Sequence, residues 1–120
     1  MKLELRKNMY YRTYSGSINK ITSIKDFNER EYLLNGFYIN KDTIKKASYN
    51  IIDILEVGDI ISFYEDIDNY KKQYVIGIPD LITLDKIKDK ITNDNIRLVS
   101  ILTKEEMEQM AYKVEEVNNE

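Results

Sequence analysis

Aromatic and β-branched positions dominate the first third of the chain and predict strands rather than helices. The run 9–15 is rich in tyrosine and reaches Gly16, as a strand that enters a turn does. Residues 17–24 would return antiparallel to it. Asn35-Gly36 lies between two strand-forming runs and supplies the two positive-φ positions of a type I′ turn. The pattern therefore predicts a hairpin over residues 31–39.

Short apolar runs in the middle of the chain are separated by polar turn residues. Asn50 is placed to cap a short helical turn over residues 51–55. Val57-Gly58-Asp59 predicts a turn in which Gly58 takes a positive φ and Asp59 binds nearby amides. A ligand contact by Asp59 is the less favoured alternative. Strands are expected over 60–64 and 70–78, the second ending at Pro79, which has no N–H for a ladder.

The spacing of apolar residues changes after Pro79. Leu84, Ile87 and Ile91 recur at three and four residues, which predicts a short helix capped by Thr83 or Asp80. An edge strand within residues 80–95 is the alternative interpretation of this segment.

The last part of the chain carries a clear helix-start signal. Residues 96–102 read as a strand, and Thr103-Lys-Glu-Glu106 is a capping box that predicts a brief helix to Met110. A final strand over 111–114 and an acidic tail at 115–120 are expected to follow.

Together these elements predict a mainly β fold with short helices, arranged as a small antiparallel barrel or rolled sheet. Residues 1–114 would form a single domain. In such folds the first and last strands often pair and so protect their edges. We therefore expect residues 10–14 and 111–114 to lie near each other.

Composition narrows the classes of function. The 120-residue chain is 42% apolar, which suffices for a core, and its net charge of −3 provides no basic excess for non-specific nucleic-acid binding. The acidity is also too mild to favour a DNA mimic. There is no apolar run of membrane-spanning length and no signal-peptide pattern, so a cytoplasmic protein without membrane contact is expected.

Catalytic and metal-binding groups are scarce. The chain has no histidine and no cysteine, and its four glycines are not gathered into a phosphate-binding loop. We expect no enzyme activity, no catalytic residues, no metal site and no cofactor. A cation site at Glu65, Asp66, Asp68 and Asn69 has suitable ligand types. A solvated hairpin turn is the favoured interpretation because the glycine and distal glutamate of an EF-hand loop are absent.

The ten tyrosines are the most suggestive feature. On a strand, Tyr10, Arg12 and Tyr14 share one face, where two rings could stack on a base while the guanidinium binds a phosphate. Lys20 or Arg97 could add a second cation. These five residues form the predicted ligand site. The alternative, which the commonness of tyrosine in strands favours, is that the rings cover a thin core and Arg12 makes a surface ion pair.

Three segments resemble one family of short phage and prophage proteins of Gram-positive bacteria. They are Tyr11–Gly16 (an R-T-x-x-G start), Asn50–Asp59 (I-I-D-L-I-E-V-G-D in the family) and Val99–Val114 (I-V-T-K-E-x-F-x-x-M-x-Y-x-V). This chain departs from the pattern at Met107, where an aromatic residue is usual, and over residues 24–46.

The resemblance implies a context in which small non-enzymatic proteins counter bacterial immunity. The first expectation is sequestration of a nucleotide-type immune signal by a pocket, often at a subunit interface, which makes a homo-oligomer possible. The alternatives are an inhibitor that blocks a host defence protein, for example a CRISPR effector, and a phage structural or accessory module. The resemblance supplies no catalytic residues.

Overall fold

The computed structural model describes residues 4–65, 71–76, 83–93 and 96–114. Within these ranges the chain is mainly β, as predicted. The two α-helices are α1 (Leu84–Asn93) and α2 (Lys104–Met110), and two 3₁₀ turns lie at Lys41–Thr43 and Ile51–Ile54. The strands are β1 (Tyr10–Thr13), β2 (Ile18–Lys20), β3 (Ile24–Asp26), β4 (Glu31–Leu34), β5 (Phe37–Asn40), β6 (Ile44–Ser48), β7 (Ile60–Glu65), β8 (Lys71–Val75) and β9 (Ile96–Leu102).

The strands form three antiparallel sheets of three strands each. The first sheet has the order β2-β1-β6, the second β3-β4-β5 and the third β8-β7-β9. Across the described residues these sheets do not close into a barrel, so the rolled-sheet form of the prediction applies. No described helix has the length and apolar character needed to cross a membrane.

The first two sheets share one hydrophobic core. Alternation along β4 turns Tyr32 and Leu34 inward, where they meet Tyr11 of β1 and Ile44 of β6. Asn35 adds a polar anchor between the two sheets. Its side-chain oxygen accepts from the backbone N–H groups of Thr22 and Ser23, and its amide donates to the Lys20 carbonyl (2.8 Å).

The third sheet covers a second core. Its centre is Ile61 and Phe63 of β7, packed with Leu55, Ile76 and residues of the 3₁₀ turn at Ile51–Ile54. Helix α1 closes this core with Ile87, which is fully buried, and with its neighbours one turn away, Leu84 and Ile91. The helical interpretation of this segment is therefore confirmed, and the Thr83 hydroxyl accepts from the Lys86 N–H as a cap.

The predicted turns and caps are confirmed. Asn35 and Gly36 have φ of 52° and 85°, as a type I′ turn requires, and Gly58 has φ of 101°. The Asn50 side chain accepts from the Ile52 N–H, so it caps the 3₁₀ turn. Both hydrogen bonds of the Thr103–Glu106 capping box are present.

The expected pairing of the first and last strands is wrong. Residues 111–114 form no strand, because β1 already has β2 on one side and β6 on the other. The C-terminal region still reaches the end of β1 through α2, where Gln109 donates to the Ser15 carbonyl (2.8 Å). The returning strand β8 is described from Lys71 to Val75. Several predicted features lie outside the described residues: positions 66–69 of the candidate cation loop, Pro79, Asp80 and the tail over 115–120.

Candidate functional site

Both faces of β1 are covered, and this decides the environment of Arg12. Tyr11 points into the core between the first two sheets, where burial raises the pKa of its hydroxyl and a hydrogen bond from Asn19 partly opposes this. Arg12 therefore points to the opposite face, where its side chain is 0% exposed. The residue predicted to bind a phosphate has no accessible surface.

The guanidinium of Arg12 is held by a two-pronged ion pair with Asp59. Nη1 donates to Oδ2 at 2.6 Å and Nη2 donates to Oδ1 at 2.9 Å, while Nη1 also donates to the Ile54 carbonyl at 3.0 Å. This planar fork is the geometry in which arginine binds a carboxylate most strongly. A buried carboxylate thus occupies the position at which a ligand phosphate was expected.

Asp59 also organises the backbone around it. Its Oδ2 accepts from the Glu56 N–H (2.8 Å) and its Oδ1 from the Lys104 N–H (3.0 Å). The structural interpretation of Val57-Gly58-Asp59 is therefore confirmed, since Gly58 makes the turn and Asp59 binds nearby amides. One of these amides begins α2, so Asp59 joins the turn, β1 and the C-terminal helix.

Two glutamates and three lysines surround this pair. Nη2 of Arg12 also donates to Glu105 Oε2 at 2.6 Å, and Glu56 lies 3.8 Å from the same nitrogen. Around Glu56, three ammonium groups lie between 2.8 and 3.0 Å from its carboxylate oxygens; they belong to Lys45, Lys46 and Lys104. We call these seven residues the ion-pair cluster: Arg12, Lys45, Lys46, Glu56, Asp59, Lys104 and Glu105.

The pKa values follow from these contacts. Desolvation lowers the pKa of Arg12, but hydrogen bonds to Asp59 and Glu105 outweigh it, so its pKa lies above the usual value. Desolvation raises the pKa of Glu56, yet hydrogen bonds from the three lysines dominate and hold it well below its usual 4.5. The hydrogen bond to Glu56 raises the pKa of Lys104. The contacts of the cluster therefore stabilise the charged forms of Arg12, Glu56 and Lys104.

Gly16 lets the end of β1 approach α2 closely. A Cβ at this position would clash with the Thr103 hydroxyl and lie 2.8 Å from Cβ of Glu105, and its φ of 93° already favours glycine. The buried Thr103 hydroxyl donates to the Gly16 carbonyl at 2.9 Å. The glycine is therefore needed for the contact that brings Glu105 to Arg12.

The three segments that carry the family resemblance meet at this point. The first contributes Arg12 and Gly16, the second Asp59, and the third Thr103 and Glu105. Residues 47 and 93 positions apart in the chain are thereby joined. Together these residues link β1, the Val57–Asp59 turn and α2.

The other predicted ligand residues do not gather around Arg12. Tyr10 is half-buried on β1 with the Lys20 ammonium 5.8 Å from its ring centre, as expected for adjacent strands. The first sheet shifts register between Arg12 and Thr13, and Tyr14 lies beyond the strand, 62% exposed. Arg97 is on β9 of the third sheet, where it lies over the Tyr64 ring at 5.4 Å.

An open depression of about 330 Å³ lies beside Tyr14. Its other lining residues are Glu105, Glu108, Gln109 and Lys113. Glu105 is bound to Arg12, and the other two charged residues, Glu108 and Lys113, are of opposite sign, so the lining has no excess of positive charge to favour a phosphate.

The second sheet exposes an aromatic surface that the sequence pattern did not identify as a site. Since Tyr32 and Leu34 point into the core, Leu33 between them points outward, and Tyr38 lies opposite it on β5. Phe27 packs edge-to-face on Tyr38, with ring centres 4.8 Å apart. We call Phe27, Leu33 and Tyr38 the outer face. Lys25 and the Asp26–Lys41 ion pair (2.7 Å) lie near it.

Exposure distinguishes this surface from the core. Phe27 and Tyr38 are 49% and 58% exposed, and Phe37 at the hairpin tip is 71% exposed. The sequence pattern did not identify the outer face, because the alternation along residues 31–39 does not indicate which side of the sheet stays exposed to solvent. The signal in the sequence is that Phe37 and Tyr38 are consecutive, so alternation along a strand sends their two rings to opposite sides of the sheet.

Comparisons of the chain with protein-family models, with curated proteins and with solved structures find no match.

Proposed function

We propose that this chain is a non-enzymatic binding protein that acts by contacting another protein through its outer face. The observation that carries the proposal is the Phe27–Tyr38 pair, held in a fixed edge-to-face geometry on the solvent side of a sheet whose other side is core. Rigid aromatic side chains contribute large contact area at little entropic cost, which suits them to protein interfaces. A partner with an apolar groove matches this surface.

The resemblance to phage accessory proteins suggests which partner to test first. A host defence protein, such as a nuclease effector, would be blocked by a small protein covering its working surface. This was the alternative at the level of sequence. It becomes the leading proposal because Arg12, the cation on which nucleotide sequestration most depended, is enclosed by Asp59 and Glu105.

The test is binding and inhibition with purified components. Defence effectors of a Gram-positive host are expressed singly, and each is assayed for complex formation with the chain and for loss of its activity. Tyr38→Ser should abolish binding, while Tyr112→Ser, which alters an aromatic residue 89% exposed elsewhere, should leave it unchanged. Equal loss in both variants, or none in either, would contradict a role for the outer face.

Nucleotide sequestration remains a second candidate because Lys20 and Tyr10 still place an exposed cation beside an aromatic ring. A base stacked on Tyr10 would bring its phosphate toward Lys20. A thermal-shift screen against linear and cyclic nucleotides tests this, since ligand at about 100 times its dissociation constant adds about 2.7 kcal/mol of stability. A shift that disappears in Lys20→Ala would support this candidate, and no shift with any nucleotide would oppose it.

A further inference from the structure

The free edge of β5 differs from the other sheet edges in the described residues. Among the edge strands whose side chains the structure describes, each of the four others carries at least one cation: Lys20 on β2, Lys25 on β3, Lys45 and Lys46 on β6, and Arg97 on β9. Strand β5, Phe37-Tyr-Ile-Asn40, carries none. Lysine and other charges on edge strands oppose pairing with a second chain. Of the edges compared, that of β5 is the one without this protection.

The backbone of β5 presents pairing groups at the same edge. Leu34 and Phe37 flank a two-residue turn and so form a hydrogen-bonded pair with each other, as do Tyr32 and Ile39 two positions further on. The alternate residue, Tyr38, must then point its N–H and C=O away from β4. No other described strand pairs with that side.

We infer that the protein forms a two-fold dimer in which β5 pairs antiparallel with β5 of a second copy, centred on Tyr38. This arrangement goes beyond the proposed partner binding and does not depend on it. The two Tyr38 residues would exchange both backbone hydrogen bonds, and strands β3, β4 and β5 of each copy would join in one six-stranded sheet.

Self-complementarity of the side chains favours a second copy as the occupant. In this register Tyr38 faces Tyr38 of the partner subunit, and Phe37 faces Ile39 of the partner subunit. Aromatic and branched cross-strand pairs stabilise sheets, and no like charges are brought opposite each other. The exposed ring of Phe37 would gain the apolar cover that it lacks in one chain. Pairing through four residues is a small contact, so the dimer should exchange with monomer.

Sedimentation of the purified full chain over a wide concentration range tests the inference. The average mass should rise with concentration from 14.3 kDa toward twice that value. Tyr38→Lys places a charge at the centre of the edge and should keep the mass at one chain. Phe27→Lys, an equally drastic change on the outer face but outside β5, should still dimerise.

Amide hydrogen exchange supplies a readout specific to the backbone contact. The backbone amide of Tyr38 should exchange more slowly as the dimer forms. The Tyr38→Lys variant, once circular dichroism shows that it is folded normally, gives the exchange rate at this position in the monomer. A wild-type mass that stays at one chain, a Phe27→Lys variant that is also monomeric, or a dimer without protection at Tyr38 would each overturn the inference. None of these outcomes decides the outer-face proposal, whose test is loss of partner binding in an otherwise folded variant.

Discussion

The ion-pair cluster and the outer face use their chemistry in opposite ways. The cluster contains Arg12, which resembles a ligand contact in sequence, but its charge is paired with Asp59 and Glu105, and Arg12 and Asp59 are fully buried. The outer face contains residues that resemble core in sequence, but they are left in solvent. A side chain is thus available for binding where the fold leaves it in solvent, whatever its type.

Breaking the centre of the cluster should destabilise the fold more than any other single change considered. Arg12→Met leaves Asp59 buried without its guanidinium, and removing one member of a buried pair costs about 3–5 kcal/mol. Urea unfolding measures the loss. The double variant Arg12→Met/Asp59→Leu should lose less than the sum of the single variants, because the charge left behind is also removed. A loss in Arg12→Met no larger than that in Tyr14→Ser would show that the pair does not stabilise the fold.

A matched pair of glycine variants isolates the close contact beside the cluster. Gly16 and Gly36 both have positive φ, but only Gly16 has side chains where a Cβ would lie. Gly36→Ala should cost about 1 kcal/mol from backbone strain alone, and Gly16→Ala about 3 kcal/mol because α2 must also move. Equal losses in thermal or urea unfolding would mean that the packing of Gly16 on Thr103 contributes little.

Acid should weaken the cluster before it affects the outer face. The pKa of Glu56 is lowered in the folded protein, so its contribution to stability is complete above its usual 4.5 and is lost as pH falls below that value. The melting temperature should therefore drop in this acid range. Glu56→Gln, which cannot be ionised, should show a lower melting temperature at neutral pH and a shallower fall in acid. Parallel curves for the two proteins would contradict this role.

The smallest effect on stability is expected at the outer face and the hairpin tip. Phe37→Ser and Tyr38→Ser change exposed side chains and should alter the free energy of unfolding by no more than about 0.5 kcal/mol. Circular dichroism and urea unfolding measure this. Large destabilisation by either variant would place these rings in the packed fold and remove the contrast with the cluster.

Elements governed by near neighbours were predictable from the sequence. The Asn35-Gly36 turn, the Asn50 cap and the Thr103–Glu106 capping box each depend on hydrogen bonds or φ angles within a few residues. The helix over Leu84–Asn93 followed from the spacing of Leu84, Ile87 and Ile91, although its alternative as a strand was resolved only by packing. The mainly β class follows from many such local preferences acting together.

Pairings between distant segments were not predictable in the same way. Residues 111–114 have strand-forming side chains, but the place beside β1 is taken by β6. No residue near Arg12 in the chain indicates that its ion-pair partner is Asp59, 47 residues away. The same is true of Glu105 on α2, which also binds the guanidinium. The sequence alone therefore predicts Arg12 as a ligand contact, whereas the tertiary structure encloses it.

The local sequence thus decided where this chain turns and caps its helices and which segments favour strands, since those preferences come from atoms close together along the backbone. Tertiary structure decided which charges are neutralised in the interior, which aromatic side chains stay exposed, and which strands lie at the edges of the sheets. Those outcomes depend on which surfaces of the three sheets meet, and burial is a property of the assembled elements rather than of any one of them.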